Sequence, residues 1–294
     1  MPTRLLKDCA DILAPFFVEI FNQSLRTGSV PTVFKEAYIM PLIKKADLDV
    51  DDVHSYRPIS NLSVLSKLPE RLISRQLLDY ITAEGLMPAL QSAYQLFHST
   101  ETAVLKVLAD ILHALDNDDV AVLTLLDLSA AFDMVDHVFL LRQLETSYGI
   151  GGCAMRWFTS YLSGRTLYVR RVMSLSDITA VLCGVLQGSV LGLLILLYTA
   201  NLLRLIERHN LRPHLYADDT QIYGFCCPTA VIQLQQQVSA CISVCCYVDA
   251  VKPPSAEHRK DRGSLVRAES TAAPTSAGRL ENWHRLRVTF IISS

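Results

Sequence analysis

The sequence predicts an α+β protein, and three observations carry that prediction. Residues 120–126, VAVLTLL, are an unbroken apolar run of strand length. Residues 215–224, LYADDTQIYG, alternate around two adjacent aspartates in the manner of a hairpin. Several longer segments repeat their apolar residues at helical spacing. At 294 residues, half of them apolar, the chain can bury a substantial core, as one large domain or two smaller ones.

The elements follow in order. Helical spacing runs over 9–26, and Gly28 and Pro31 end it. Residues 37–43, AYIMPLI, form a short strand closed by Lys44 and Lys45, and the acidic ADLDVDDVHS reads as an exposed loop. In YRPISNLSVLSKLPERLISRQLLDYI an extended Tyr-Arg-Pro gives way to an amphipathic helix, which Pro69 is expected to kink. A helix is predicted over 100–115, then a polar turn at 116–119, then the buried strand 120–126 with Asp127 just past its end. SAAFDMVDHVFLLRQLETSYGI turns helical, and WFTSYLSGRTLYVRRV is a helix followed by a hairpin-like stretch with Gly164 at the turn. GVLQGS at 184–189 precedes an apolar helix, and the 215–224 hairpin follows. From about residue 247 the chain is rich in Pro, Ser, Ala and charge, which predicts an irregular or disordered tail over 248–294.

Composition narrows the classes. Eight cysteines are thinly spread, and Cys226-Cys227 and Cys245-Cys246 are adjacent pairs instead of Cys-x-x-Cys, so reduced thiols in an intracellular protein are expected, nuclear or cytoplasmic. Asp8, Asp11 and Glu19 interrupt the first thirty residues, unlike the core of a secretory signal. The apolar VLGLLILLYTANLL at 190–203 is shorter than the roughly twenty residues that cross a bilayer and reads as a core helix, so no membrane partner is expected. Residues 1–250 carry 19 Lys+Arg against 25 Asp+Glu, and 251–294 carry 8 against 4. Such an acidic body argues against a broad nucleic-acid surface and leaves room only for a local basic groove.

Two adjacent aspartates at a hairpin tip are ordinarily a solvated turn. Asp127 alters that reading, because strand ends are where sheet proteins place chemistry. If strand and hairpin are neighbours in one antiparallel sheet, Asp127, Asp218 and Asp219 converge, and their repulsion calls for cations. Two Mg²⁺ ions about 3.5–4 Å apart would keep all three ionised and supply a two-metal phosphoryl-transfer site.

YADD at 216–219, LLDLSAAFDMVDH at 125–137, YRPISNLSVLSKL at 56–68, QSAYQLFHSTETA at 91–103 and GVLQGSVLG at 184–192 together resemble, in order and spacing, the reverse transcriptase domain of non-LTR (LINE-type) retrotransposons. The resemblance implies a polymerase palm, a small antiparallel sheet on helices, with a fingers region before it. It implies a domain over 1–247, fingers mainly 35–115 and palm mainly 116–247. Its activity would be RNA-directed DNA polymerisation: two Mg²⁺ ions, an RNA template, a DNA primer and deoxynucleoside triphosphates, with no obligate protein partner. Asp127, Asp218 and Asp219 match the family's metal ligands, with the Leu128 carbonyl as a further ligand. Phe132 matches the bulky side chain that excludes a ribose 2′-hydroxyl, or is a core aromatic at a helix start. Arg57 resembles the arginine that grips the triphosphate, or is a surface arginine. Gln187 and Gly188 match the loop against nucleotide and template, and Lys44, beside Lys45, touches phosphate or is simply solvated. His98, Ser99 and Thr100 match a block whose role is unassigned, and His98 could cap the helix that begins there.

The chain also departs from that family. Gln95 stands where an arginine is usual, Leu186 where a proline is usual, and the run at Gly192-Leu193-Leu194 lacks a proline and is one residue short. Pro69 replaces an apolar helix former. After residue 247 the family's NRLQLNTAKTEVLW is missing, although codons can be chosen for AVKPPSAEHRKDRGSLV that encode it when read from the second base. The tail is therefore expected to be an out-of-frame translation, with the thumb missing and no endonuclease domain before Met1. The alternative reading is a catalytically dead retrotransposon remnant with at most residual nucleic-acid binding; a third, a small membrane-associated helical protein, rests on 190–203 alone.

Overall fold

Strand-length apolar runs and helical stripes become elements in the expected order. The computed structural model describes residues 3–52, 55–127, 131–171, 174–186, 188–250 and 287–292. The elements are α1 (Thr3–Asp8), α2 (Ala10–Thr27), β1 (Glu36–Ile43), β2 (Tyr56–Leu62), α3 (Val64–Ala83), α4 (Thr100–Leu115), β3 (Val120–Asp127), α5 (Ala131–Met134), α6 (His137–Thr146), α7 (Gly152–Leu162), β4 (Arg165–Arg171), β5 (Ser174–Leu175), β6 (Thr179–Val181), α8 (Leu194–Arg208), β7 (Arg212–Tyr216), β8 (Asp219–Cys226), α9 (Val231–Ala250) and β9 (Arg287–Ile292), with short 3₁₀ turns such as Val190–Leu193. They fall into two compact units, Met1–Leu86 with Phe132–Leu194, and Met87–Ala131 with Ile195–Ser294.

In the first unit β1 runs antiparallel to β2, with Leu42 opposite Arg57, and parallel to β4. Ala37, Leu62, Val181 and Leu186, with Leu167, form the apolar side of this sheet. Helix α3 starts at Ser63, whose side chain accepts the Ser66 N–H at 3.0 Å, and continues through Pro69 to Ala83. Helices α2 and α7 are joined through Trp157, whose indole N–H donates to Ser24 Oγ at 3.1 Å while its ring stacks on Tyr161, centroids 5.4 Å apart. Gly28 ends α2 at φ 68°, where an added Cβ would lie 2.6 Å from the Arg156 Cβ, so the close approach of α7 requires glycine.

The second unit is built on an antiparallel sheet of order β7-β8-β3-β9. Strand β3 is largely buried on both faces, which explains why 120–126 reads as a continuous apolar run. Val122, Leu126 and Ile222 meet Leu234, Val238, Cys241, Ile242 and Cys245, a helical stripe along α9, together with Ile206 of α8. On the other face Ala121 and Tyr223 meet Val107 and Ile111 of α4. Helix α4 has a capping box: Ser99 Oγ accepts the Thr102 N–H at 3.2 Å and Thr102 Oγ1 accepts the Ser99 N–H at 2.8 Å. The cap is thus Ser99, not His98, because a short hydroxyl reaches the free N–H groups of the first turn.

Two further differences from the sequence reading stand out. Asp127 is the last residue of β3 and not a residue beyond it. Arg287–Ile292, inside the segment read as an irregular tail, forms β9 and covers the open edge of β3, with Leu123 opposite Phe290. Its RVTFII is β-branched and aromatic enough to pair where a free ladder is offered. Val190–Arg208 is long and apolar enough to cross a membrane by length and composition, and more than half of its apolar window is buried within the protein. None of the described cysteines is joined in a disulfide.

Candidate active site

The antiparallel register of β3 and β8 places Asp127 directly opposite Asp219. Strand β8 begins at Asp219, its partner across the tight turn is Tyr216 of β7, and the two turn residues are Ala217 and Asp218. Three carboxylate-bearing positions, one from a strand ninety residues earlier in the chain, thus meet at one end of one sheet. The Asp127 side chain and Leu128 lie outside the described residues, so the set is traced by backbone register. Among the described residues no group of three His, Cys, Asp or Glu side chains gathers to hold a metal.

Sheet alternation explains why this end is usable. Positions 121, 123 and 125 of β3 pair with 225, 223 and 221 of β8 on the face that α4 covers. Cover is complete at Ala121 and Tyr223 and falls away toward the aspartates: Leu125 is 37% exposed, and Asp219 is exposed. The helix therefore supports the sheet and leaves its carboxylate end open.

Under α4 one carboxylate gathers several partners. The Tyr223 hydroxyl donates to Asp110 Oδ2 at 2.8 Å, and Lys106 and Arg212 also face that carboxylate. Burial opposes ionisation of Asp110, but the hydrogen bonds from Lys106 and Tyr223 and the charges of Lys106 and Arg212 outweigh it, and its pKa is lowered. Nearer the turn, burial, followed by the charge of Asp218 and the neighbouring Tyr216, raises the pKa of the Tyr94 phenol.

Directly opposed like charges destabilise an antiparallel pair unless something neutralises them. The donor set offered by Asp127, Asp218 and Asp219 is hard oxygen, which suits a divalent cation such as Mg²⁺ and not a softer metal. By residue type, these positions suit a divalent cation.

The other candidate residues lie in the first unit. Arg57 is exposed on β2, and Lys44 follows β1, its N–H donating to the Ser55 carbonyl at 2.8 Å. Gly188, at φ 102°, lies so close to β2 that an added Cβ would come 2.7 Å from the Ser60 carbonyl oxygen. Phe132 is half-buried, and its carbonyl accepts the Val185 N–H at 2.6 Å. Val185 thus meets Phe132, and Gly188 meets the strand that bears Arg57. Gln187 lies outside the described residues.

Two residues that the sequence reading left without roles are central here. Glu70 is buried and accepts three hydrogen bonds: from Tyr161 Oη at 2.8 Å, from Ser189 Oγ at 3.1 Å and from the Val190 N–H at 2.9 Å. It fastens the chain just after Gly188 to α3. Gln91, 1% exposed, reaches the Ala217 N–H and carbonyl in the turn that carries Asp218. In the sequence both are ordinary polar residues of surface type, and Gln91 carried only its place in a family-like block.

Comparison with known proteins bears on family and fold. Residues 43–249 match the family described as reverse transcriptase (RNA-dependent DNA polymerase). The chain is 34% identical over 239 residues to the probable RNA-directed DNA polymerase from transposon BS of Drosophila melanogaster, covering 77% of this chain and 26% of that protein. It is 36% identical over 189 residues to the RNA-directed DNA polymerase from mobile element jockey of the same fly, covering 64% and 20%. It therefore spans about a quarter or less of the length of these curated relatives. Among solved structures, apo telomerase from Candida tropicalis truncated from its C-terminal domain superposes with a TM-score of 0.50 at 13% identity, over 71% of this chain and 47% of that one. That likeness shows the fold, the α+β, palm-like architecture of the reverse transcriptases. The chain belongs to the reverse transcriptase family, as a reverse transcriptase domain of the non-LTR, LINE-type retrotransposons.

Proposed function

We propose that this domain adds deoxynucleotides to the 3′-hydroxyl of a DNA primer paired to an RNA template. The observation that supports the reading is the opposition of Asp127 and Asp219 across β3 and β8, with Asp218 in the adjoining turn. Two Mg²⁺ ions, when bound, supply activation of the primer hydroxyl and neutralisation of charge on the leaving oxygen. Asp127, Asp218 and Asp219, with the Leu128 carbonyl, would hold them. Arg57 grips the triphosphate through its planar fork, and Lys44 adds positive charge toward phosphate. Phe132 selects deoxynucleotides by occupying the space of a 2′-hydroxyl. Gln187 and Gly188 offer a close backbone surface to nucleotide and template. Fingers mainly over 35–115, palm mainly over 116–247 and a tail read out of frame complete the proposal.

Primer extension on an RNA template with Mg²⁺ tests it. Wild type extends, and Asp218→Asn loses at least about a hundredfold, because a missing ligand removes several kcal/mol of charge stabilisation. Equal extension by both proteins would defeat the assignment. The second reading, a remnant without catalysis, is favoured by the acidic balance of residues 1–250, 19 Lys+Arg against 25 Asp+Glu. Wild type that binds primer–template without extending it would establish that reading instead.

A further inference from the structure

The turn that carries Asp218 is built on an unfavourable residue. Ala217 has φ 56°, in the left-handed region that glycine adopts freely and alanine does not. What holds it there is a single buried amide. Gln91 Oε1 accepts the Ala217 N–H at 3.0 Å, and Gln91 Nε2 donates to the Ala217 carbonyl at 3.2 Å, so both backbone groups of the strained residue end on one side chain. Oε1 also accepts the Ala93 N–H at 3.0 Å, which fixes the amide from its own segment.

The segment is itself anchored to the hairpin. The Leu215 N–H donates to the Leu90 carbonyl and the Ser92 N–H to the Leu215 carbonyl, each at 2.8 Å, making Gln91 a parallel bridge partner of Leu215. Ser92 Oγ lies 3.0 Å from His214 Nε2 on the same strand. Residues 90–93 are thus a splint along β7 whose one inserted side chain ends at the turn.

We propose that Gln91 is a positioning residue for this carboxylate site: its amide locks Ala217 in the left-handed conformation and so sets the direction in which Asp218 leaves the turn. The proposal rests on the carboxylate reading given above, and its chemistry makes a specific demand. An amide is needed because the two groups to be satisfied are one donor and one acceptor; leucine satisfies neither, and glutamate only the donor. Were the clamp's work to hold the backbone of residue 217, glycine at that position would make the clamp dispensable.

The test compares wild type, Gln91→Leu and the double variant Gln91→Leu with Ala217→Gly, as full chains. Mn²⁺ binding is titrated by electron paramagnetic resonance, primer extension is measured, and amide exchange is read at Ala217 and at Val122. Gln91→Leu is expected to weaken Mn²⁺ binding and lower extension by about tenfold or more, the range for partners that orient metal ligands, and to speed exchange at Ala217 while Val122 stays protected. The double variant is expected to recover most of the Mn²⁺ affinity and extension. No change in Gln91→Leu, or a loss that Ala217→Gly does not restore, would overturn the clamp, since a residue that merely holds segment 90–93 would not be rescued from position 217. If wild type neither binds Mn²⁺ nor extends primer, the carboxylate reading falls, and the clamp stands or falls on exchange at Ala217 alone.

Discussion

Replacing Glu70 by alanine removes the acceptor that ties α3 to the chain following Gly188. Glu70 is 2% exposed and takes hydrogen bonds from Tyr161, Ser189 and the Val190 N–H. A bond from a neutral donor to a charged acceptor contributes about 1.5–3 kcal/mol, so three of them set a ceiling well above the net effect. Part of the loss is recovered locally, because Tyr161 Oη and Ser189 Oγ are 2.8 Å apart and bond to each other. Relief of the buried charge's desolvation also works in the opposite direction. What remains is a part-buried Val190 N–H without its partner, about 1–2 kcal/mol, and the space vacated by the side chain. The expected destabilisation of Glu70→Ala is about 3–4 kcal/mol, and of Glu70→Gln, which keeps the shape and one acceptor oxygen, about 1–2 kcal/mol. Urea unfolding followed by the fluorescence of Trp157, with Trp283 replaced by phenylalanine, reads the unit that holds the network. A loss below about 1 kcal/mol for Glu70→Ala, or equal losses for the two variants, would refute the reasoning. Burial of the Tyr161 phenol, and after it the charge of Glu70, raise its pKa, so in Glu70→Ala the phenol should titrate lower than in wild type while staying above its ordinary value, as difference absorbance at alkaline pH would show.

Other expectations can be checked with the same tools. Gly188→Ala places a methyl 2.7 Å from the Ser60 carbonyl at a φ of 102°; at least about 2 kcal/mol of stability should be lost in urea, and a neutral result would mean that Gly188 does not lie against β2. His214 has its pKa lowered from 6.5 by burial, then by the charges of Lys106 and His98, against the opposing pull of Asp110. The unfolded chain then takes up a proton that the folded chain refuses, so stability falls as pH drops below 6.5 toward the folded value. His214→Asn should flatten that decline in urea midpoints measured between about pH 7 and about pH 5; parallel profiles for the two proteins would remove His214 from the account.

Most of the elements and their chemical inventory are legible in the residues alone. The apolar run at 120–126 reads as a strand covered on both faces, the alternation around Asp218 and Asp219 suits a hairpin tip, and helical spacing over 100–115, with Ala103, Val107, Ile111 and Ala114 on its buried side, matches α4. Five blocks in order also carried the family. Pairing was decided elsewhere. Alternation records which face a residue takes and not which strand lies opposite, so the register that brings Asp127 against Asp219 across ninety residues exists only once α4, α8 and α9 have packed the two faces of the sheet. The same limit hid Gln91 and Glu70, since a glutamine or glutamate destined for burial is written with the same letter as one on the surface. It hid β9 as well: RVTFII becomes a strand because β3 presents an open ladder, a fact of the folded sheet and not of six residues.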